Sequence, residues 1–313
     1  MKTASNRLAM LGLAVLTTCG VMGLTACGGG GVDMPGAAET PASSVISGTA
    51  TLGPIAGATV TAYGIAGGRM GEMIGSTTSD ATGNFTMTLG NHAGGLMLQV
   101  KGGTFTDEAT GATVALAPGE VMTAAMPGLA AGATASGVQV TPVTAMAQAM
   151  AQHMVGGMTD ANIAAANAAL GRYFSVADIL HTQPMNPRLA GAAAGLGPDE
   201  RHYGMTLAAM SQYAKDQNLA NPSAMVSAMM ADAADGVLDG QADTSPIPMQ
   251  TGGMSGGMMG GTMNAGMMAS TAGTSGLSMS MATFAGGAAN ASGMTAADIA
   301  ALIQKLAASN GRL

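Results

Sequence analysis

Residues 84–89 read Asn-Phe-Thr-Met-Thr-Leu, so polar and apolar side chains alternate at every position. Successive side chains of an extended strand point to opposite faces, and the pattern therefore predicts a strand that buries Phe85, Met87 and Leu89. The preceding Asp-Ala-Thr-Gly at residues 80–83 is typical of a turn. Together the two segments predict a strand that the chain enters through a tight turn.

Further short strands are predicted on both sides of this turn and strand. β-branched or alternating runs occupy residues 45–52, 59–63, 96–100 and 112–116, and turn residues separate them. Several short strands with turns between them are typical of a sandwich of two sheets. We therefore expect residues 45–126 to form an antiparallel β-sandwich.

Two segments of this region resemble the carboxypeptidase regulatory-like domain. They are Gly-Pro-Ile-Ala-Gly-Ala-Thr-Val at residues 53–60 and Thr-Ser-Asp-Ala-Thr-Gly-Asn-Phe at residues 78–85. The resemblance implies a transthyretin-like or Ig-like β-sandwich, a type also grouped with the carbohydrate-binding-like folds. Such sandwiches serve as spacers, binding modules and accessory domains, so the resemblance implies a fold rather than an activity.

The apolar period changes to that of a helix at Thr141-Pro142, a pair typical of a helix start. Apolar residues at helical spacing predict an α-helical domain over residues 141–240. A final helix is predicted over residues 295–310, with Thr295 as its cap. The predicted fold class is thus α+β multidomain, with an N-terminal antiparallel β-sandwich (transthyretin/Ig-like) followed by an α-helical domain.

Residues 244–294 lie between these helices and contain no charged residue. Gly, Met, Ser, Thr and Ala dominate the segment, and its apolar residues show little periodicity. This composition is typical of low-complexity sequence. We expect the segment to be largely disordered or loosely packed.

The N-terminal residues are typical of a secretory signal. Lys2 and Arg7 give a positive start, and an uncharged, mostly apolar stretch follows over residues 8–24. The Leu-Thr-Ala-Cys at residues 24–27 resembles the site at which bacterial lipoprotein signal peptides are cleaved. An uncleaved membrane-spanning helix and ordinary secretion are the alternatives.

The resemblance to lipoproteins implies that the signal peptide 1–26 is removed and that Cys27 receives fatty acyl chains, palmitate among them. Two or more buried acyl chains anchor a protein stably to a membrane. Residues 27–44 then form a flexible tether. Gly28 in place of Asp resembles sorting to the outer membrane, so the expected location is the cell envelope, in the outer membrane rather than the inner one.

Composition excludes some functions and leaves others open. The chain carries 17 acidic and 10 basic residues, and this acidic balance argues against nucleic acid as a partner. Motifs for a cofactor and convergent sets of catalytic groups are not evident in the sequence. We therefore expect no cofactor and no enzymatic activity.

The methionines of the Gly-rich segment are the first candidate metal ligands. Thioethers are soft ligands that select Cu(I), and exported copper-handling proteins often contain Met-rich stretches. The alternative is compositional, because Met is abundant along the whole chain, with 30 residues. The candidate ligands are Met254, Met258, Met259, Met263, Met267 and Met268.

Three aspartates give a second candidate metal site, for calcium. Asp235, Asp239 and Asp243 match the first, fifth and ninth positions of a calcium-binding loop. Val237 and Pro246 occupy its third and twelfth positions, so the bidentate acid is missing. The alternative, a solvated helix end followed by turns, is the interpretation that we favour.

The expected function is that of a non-enzymatic, lipid-anchored envelope protein with a structural or binding role, carbohydrate binding included. Its expected partners are the membrane, through the N-terminal lipid, and a glycan or another envelope protein. The alternative function is Cu(I) binding and buffering in the periplasm through residues 249–268.

Overall fold

The β-rich part of the protein runs from Val45 to Val140 in the computed structural model, which describes residues 43–219, 221–249 and 266–313. All of these residues belong to one compact unit. The strands are β1 (Val45–Ala50), β2 (Thr59–Ala66), β3 (Arg69–Thr78), β4 (Asn84–Thr88), β5 (Gly94–Lys101), β6 (Thr104–Thr106), β7 (Thr113–Ala115), β8 (Val121–Leu129) and β9 (Thr134–Val140).

The strands form two larger sheets and one hairpin. The first sheet has the order β4-β1-β9, the second has the order β3-β2-β5-β8, and β6 pairs with β7. Strand β1 pairs with β4 in antiparallel orientation but with β9 in parallel orientation. The expectation of a wholly antiparallel arrangement is therefore wrong at β9, which also carries the β-rich part beyond the expected limit at residue 126.

Alternating side chains explain how the sheets are buried. Phe85, Met87 and Leu89 are buried, as the alternation at residues 84–89 predicts. We call the buried apolar cluster that the two larger sheets share the strand core; it includes Ile46 and Val138 of the first sheet with Leu98 of the second. The sheets thus bury their apolar faces in one cluster, which defines the β-rich part as a folding layer.

The helices and four short strands follow Val140. Thr141 caps the first helix as expected, because its Oγ1 accepts from the Thr144 amide at 3.2 Å and Pro142 takes the first helical position. The elements are α1 (Pro142–His153), α2 (Asp160–Phe174), α3 (Pro198–Asp216), α4 (Ala224–Ala233), β10 (Gln241–Ala242), β11 (Ser245–Pro246), β12 (Pro248–Met249), β13 (Gly266–Met267), α5 (Ser275–Gly286) and α6 (Ala300–Ala307).

The helices share a second buried cluster, which we call the helical core. It contains most of the buried apolar residues of α1–α6 and of the segments between them, together with Met97 and Ala125 from the second sheet, whereas Ala145, Leu180 and Val226 belong to the strand core. Met97 and Ala125 are paired across β5 and β8. The second sheet therefore buries one face in the strand core and turns the other towards the helices.

Two predictions about the C-terminal part are wrong. Helix α5 lies inside the segment expected to be disordered or loosely packed, and Leu277, Met281 and Phe284 at its core-facing positions are fully buried. The exposed positions of this helix are Met279, Thr283 and Gly286 rather than charged residues, so the sequence lacks the polar face by which an amphipathic helix is recognised. The last helix begins at Ala300 rather than at Thr295, because the Asp298 carboxylate accepts from the Thr295 amide and hydroxyl in a separate turn.

Within the ranges that the structure describes, we find no helix with the length and apolar character needed to cross a bilayer.

Candidate functional site

A cleft of about 850 Å³ lies where the second sheet meets the helices. We call it the amide cleft and define it by Gln99, Thr123, Gln148, Gln152, Met97 and Met154, which all line it. The β2–β3 hairpin forms one side, and α1, the loop that follows α1, and Met230 of α4 form the other. Its volume lies within the range of about 300–1,000 Å³ that is usual for ligand sites.

The floor of the cleft comes from the helix-facing side of the second sheet. Gln99 of β5 and Thr123 of β8 are direct partners across the two strands. They lie two residues from the paired Met97 and Ala125, and strand residues two apart share a face. The alternation that buries Leu98 and Val100 in the strand core therefore places Gln99 in the cleft.

A chain of hydrogen bonds joins this floor to helix α1. The Thr123 hydroxyl donates to Gln148 Oε1 at 3.0 Å, and Gln148 Nε2 donates to Gln152 Oε1 at 2.7 Å. Gln148 Nε2 also contacts the Met158 sulfur at 3.3 Å. Residues four apart on a helix are neighbours on its surface, so the buried Gln148 fixes the orientation of the exposed Gln152 amide.

Two glycines close one end of the cleft by direct backbone contact. Gly68 of the β2–β3 turn has φ +72°, and a Cβ there would lie 1.9 Å from the Gly156 oxygen. Gly157 has φ +69°, and a Cβ there would lie 2.3 Å from the Gly68 oxygen. The Met158 amide donates to that same Gly68 oxygen at 2.7 Å. The hairpin and the α1–α2 loop are thus held together at a distance that side chains do not permit.

The walls of the amide cleft are close to neutral. Among its lining residues within the described ranges, the exposed Arg69 is the only charged side chain, and the others offer amides, thioethers, a hydroxyl, glycine backbone and Val121. An amide side chain both donates and accepts hydrogen bonds, as a ligand hydroxyl does. The cleft is therefore suited to an uncharged ligand that carries hydroxyl groups.

The expected lipidation site lies outside the described residues. Cys27, the signal peptide and residues 27–42 of the expected tether have no described position. Lipidation therefore stays a prediction from the sequence.

The expected copper ligands are only partly within the described ranges. Met254, Met258, Met259 and Met263 lie outside them. Met267 is 63% exposed on β13, whereas the adjacent Met268 is 4% exposed and belongs to the helical core. The two described members therefore occupy different environments and do not form a joint site.

Two of the three aspartates of the expected calcium loop bind backbone amides, and the third, Asp243, has its Oδ1 atom 3.4 Å from His153 Nε2. Asp235 accepts from the Val237 amide at 2.9 Å and from the Asp243 amide at 3.1 Å. Asp239 accepts from the Gln241 amide at 3.1 Å. Across the described part of the chain, no group of three or more His, Cys, Asp or Glu side chains lies close enough to hold a metal ion. This geometry supports the interpretation as a series of turns.

Asp232 of α4 is a buried carboxyl group that the sequence did not lead us to expect. Its Oδ1 atom accepts from the amides of Asp239 and Gly240 at 3.0 and 2.6 Å, and the side chain is fully buried. Burial raises the pKa of Asp232 to about 6, against the opposing effect of those two hydrogen bonds. Its spacing from Met225 and Met229 on α4 was a signal that it lies on the buried face.

The amide cleft itself was also missed. Gln99, Gln148 and Gln152 look like surface residues in the sequence, because glutamine is mostly exposed in proteins. Their one shared signal is position: Gln148 and Gln152 are four residues apart on the same helix, and the direct pairing of Gln99 with Thr123 becomes visible only in the folded sheet.

Comparison with known proteins does not identify a family for this chain. No protein-family model matches the chain, and no curated protein sequence matches it. Among solved structures, the chain is similar to a 9R-lipoxygenase from Cyanothece PCC8801, with a TM-score of 0.20 and 11% sequence identity. The match covers 61% of this chain and 24% of the lipoxygenase chain, so it spans about a quarter of that protein's length. A likeness at this TM-score carries no argument about fold or activity.

One expectation is nevertheless corrected by this comparison. The expectation that the protein is not an enzyme is not kept, since a solved enzyme structure is among those similar to the chain, and no activity is assigned in its place. The TM-score of 0.20 is too low to transfer the lipoxygenase activity to this chain.

Proposed function

We propose that the protein is a lipid-anchored binding protein of the bacterial cell envelope, and that the amide cleft binds a neutral, hydroxyl-rich ligand such as a segment of a glycan. The observation that carries the proposal is the hydrogen-bond chain from Thr123 through Gln148 to Gln152. These hydrogen bonds hold the amide of the exposed Gln152 side chain in a defined orientation at the edge of the cleft.

The chemistry of the cleft supports a sugar-like ligand. A hydroxyl group donates one hydrogen bond and accepts others, and the Gln99 and Gln152 amides offer both functions. Thioethers such as those of Met97 and Met154 adapt their shape and can pack against the C–H faces of a sugar ring. Because Gln148 already fixes Gln152, binding requires less ordering of the side chain.

The arrangement of the two larger sheets supports a sandwich of transthyretin-like type. Both sheets contribute to the strand core, as expected if they pack face to face. The resemblance at residues 53–60 and 78–85 includes carbohydrate-binding-like folds, which agrees with the ligand class proposed. In this chain the cleft lies on the opposite, helix-facing side of the second sheet.

The N-terminal sequence supports the location. Leu-Thr-Ala-Cys at residues 24–27 supports lipidation of Cys27, and Gly28 supports sorting to the outer membrane. Residues 27–44 then separate the bilayer from β1, so that the cleft can reach a glycan or another envelope component.

The test uses the full lipoprotein, extracted in detergent, on an array of neutral and of uronic-acid-containing oligosaccharides, followed by calorimetry with the bound sugar. We expect neutral sugars to bind, and Gln152→Ala to weaken binding about tenfold, which corresponds to the loss of about one net hydrogen bond. The matched control is Gln304→Ala on the exposed face of α6, which should leave the affinity unchanged.

Binding of acidic sugars alone, or equal effects of Gln152→Ala and Gln304→Ala, would contradict the proposed ligand class or site. The anchor is tested separately with Cys27→Ser, which should move the protein from the membrane fraction to the soluble fraction. If this variant stays in the membrane fraction, Cys27 is not the anchor.

A further inference from the structure

A second, smaller pocket of about 210 Å³ lies elsewhere on the molecule and shares no lining residue with the amide cleft. We call it the Glu108 pocket; Thr49 of β1, Asn84 of β4, Glu108 of the loop after β6, and Gln183 and Asn186 of the loop before α3 are among its lining residues. Its volume far exceeds that of a single ion or water molecule, so it can hold a small organic molecule.

Glu108 is the unusual residue of this pocket. Its side chain is 4% exposed, and its Oε2 atom has no hydrogen-bond partner among the described residues. Arg188 does not pair with this carboxyl group, since its Nη1 atom donates to the Glu108 backbone oxygen at 2.9 Å. Buried carboxyl groups are normally paired or hydrogen-bonded, so an unpartnered one that lines a cavity indicates a missing partner.

Charged groups on the elements next to the pocket are Asp107 and Arg188, which act on Glu108 directly, and Lys215 and Asp80, which bind neighbouring residues. Asp107 precedes Glu108 and accepts from the amide and hydroxyl of Thr110. Lys215 of α3 donates to the Ala109 oxygen at 3.3 Å, and Asp80 is bound within the turn before β4. Burial, and next the charge of Asp107, raise the pKa of Glu108 to about 8, while Arg188 acts in the opposite direction. Glu108 is therefore mostly protonated at neutral pH in the empty pocket.

The hydrogen-bond directions in the pocket leave acceptors available to a ligand. Asn84 donates through Nδ2 to the Thr82 hydroxyl at 2.7 Å, which turns its Oδ1 atom towards Thr49. The Thr49 hydroxyl gives its own proton to that Oδ1 atom at 3.0 Å and therefore keeps its lone pairs free. Once Glu108 is ionised, a ligand in this pocket meets its carboxylate and the Thr49 oxygen as acceptors, and such a site favours a ligand rich in N–H donors.

We propose that the Glu108 pocket binds a small organic cation with a primary ammonium group, and that the Glu108 carboxylate is its counter-ion. The ammonium group supplies three N–H donors, of which one pairs with the Glu108 carboxylate and another with the Thr49 hydroxyl oxygen. A bound metal ion fits less well, because no group of three or more metal-binding side chains occurs in the described part of the chain.

Formation of the ion pair requires the Glu108 carboxyl group to lose its proton. When the ammonium ion enters, the protonated Glu108 carboxyl group releases one proton to solvent, and the ammonium ion keeps all of its own. About one proton is therefore released per ligand at pH 7, and progressively fewer as the pH passes 8. The affinity should fall about tenfold for each pH unit below 7, since Glu108 must ionise before the pair can form.

The experiment is calorimetry on the full lipoprotein with 2-aminoethanol and with glucosamine, in PIPES and in imidazole buffer at equal pH. The difference in heat between the two buffers gives the number of protons released. The uncharged probes ethylene glycol and glucose should release no proton, and any binding of theirs, which belongs to the amide cleft, should be unchanged in Glu108→Gln. The two amines also distinguish a short alkylamine from an amino sugar as the preferred size of ligand.

Glu108→Gln should abolish amine binding and proton release, and the exposed Glu72→Gln on β3 should change neither. Thr49→Val is a second variant that keeps the carboxyl group; it should weaken binding about fivefold while proton release persists. The proposal is overturned if neither amine binds, if binding of the amines releases no proton at pH 7, if Glu108→Gln abolishes binding of the uncharged probes as well, or if Thr49→Val and Glu72→Gln behave alike.

Discussion

The strand core and the helical core are built from different side chains. Ile, Leu, Val and Phe dominate the strand core, where the methionines among the described residues are Met87, Met122 and Met126. Met and Ala dominate the helical core. Its methionines, again among the described residues, are Met97, Met146, Met158, Met185, Met205, Met210, Met225, Met229, Met249, Met268, Met281 and Met294.

The difference indicates how strongly the side chains of each core select a single packing arrangement. Branched side chains have few rotamers, so they fit in few arrangements, whereas Met is unbranched and fills irregular space. Alanines such as Ala208 and Ala209 of α3 let neighbouring segments approach closely. The strand half is thus a firmly specified frame and the helical half is the more adaptable partner, and the amide cleft lies where they meet.

The largest expected effect is the loss of stability when a cavity is made in the strand core or in the helical core. Phe105 of β6 and Phe284 of α5 are each 1% exposed. Phe105→Ala should lower the free energy of unfolding by about 4 kcal/mol and Phe284→Ala by about 3 kcal/mol, because methionine neighbours can partly fill the space. Urea denaturation measures both values. Equal losses, or a larger loss for Phe284→Ala, would show that methionine content does not make the helical core adaptable.

The next effect is the pH dependence of stability, which has a source in each half. The pKa of Glu108 in the β-rich part is raised from 4.5 to about 8, and that of Asp232 in the helical part from 3.8 to about 6, both mainly by burial. A raised pKa means that the folded state holds the proton more tightly, so this stabilisation is present at low pH and is lost as the pH rises to the folded value.

We therefore expect the free energy of unfolding, without ligand, to fall by several kcal/mol between pH 5 and pH 8. Asp232→Asn should make the fall less steep below about pH 6, where both groups contribute, and Glu108→Gln should remove the fall between about pH 6 and pH 8. Urea titrations at successive pH values measure this. A stability that rises with pH in the wild type would contradict both assignments.

The smallest effect concerns the glycine contact that joins the two halves. Gly157→Ala places a methyl group 2.3 Å from the Gly68 oxygen, whereas Gly191 has nearly the same φ, +68°, with no atom within 4 Å of its Cβ position. Both variants bear the strain of a positive φ, so their difference isolates the close approach. Gly157→Ala should lose about 1.5 kcal/mol more than Gly191→Ala in thermal or urea unfolding. Equal losses of stability in the two variants would show that the backbone at this contact can move apart without a measurable energetic cost.

The sequence predicted the features that depend on neighbouring residues. The alternation at residues 84–89 gave the buried face of β4, and Thr141-Pro142 gave the start of α1. Each of these signals lies within a few residues, and local backbone geometry decides the outcome. A β-rich part followed by a helical part is accordingly confirmed.

Features that depend on distant parts of the chain were not predicted. The parallel pairing of β1 with β9 joins segments about 90 residues apart, and no local pattern encodes it. Burial of Glu108 and Asp232 depends on which surfaces meet in the fold. The candidate site was missed for the same reason, because Gln99 and Gln148 come together only when the second sheet packs against α1.

The position of β1 between β4 and β9 has a mechanical consequence. If the proposed lipid anchor holds the N-terminus, tension from the membrane enters the fold at Val45, the first residue of β1. Strand β9 runs parallel to β1 and passes into α1 at its far end, Val140. Pulling along this path loads the hydrogen bonds between the two strands in shear, so that they resist together rather than opening one after another. A lipid anchor at Cys27 would thus pull on the fold through a pairing that is loaded in shear.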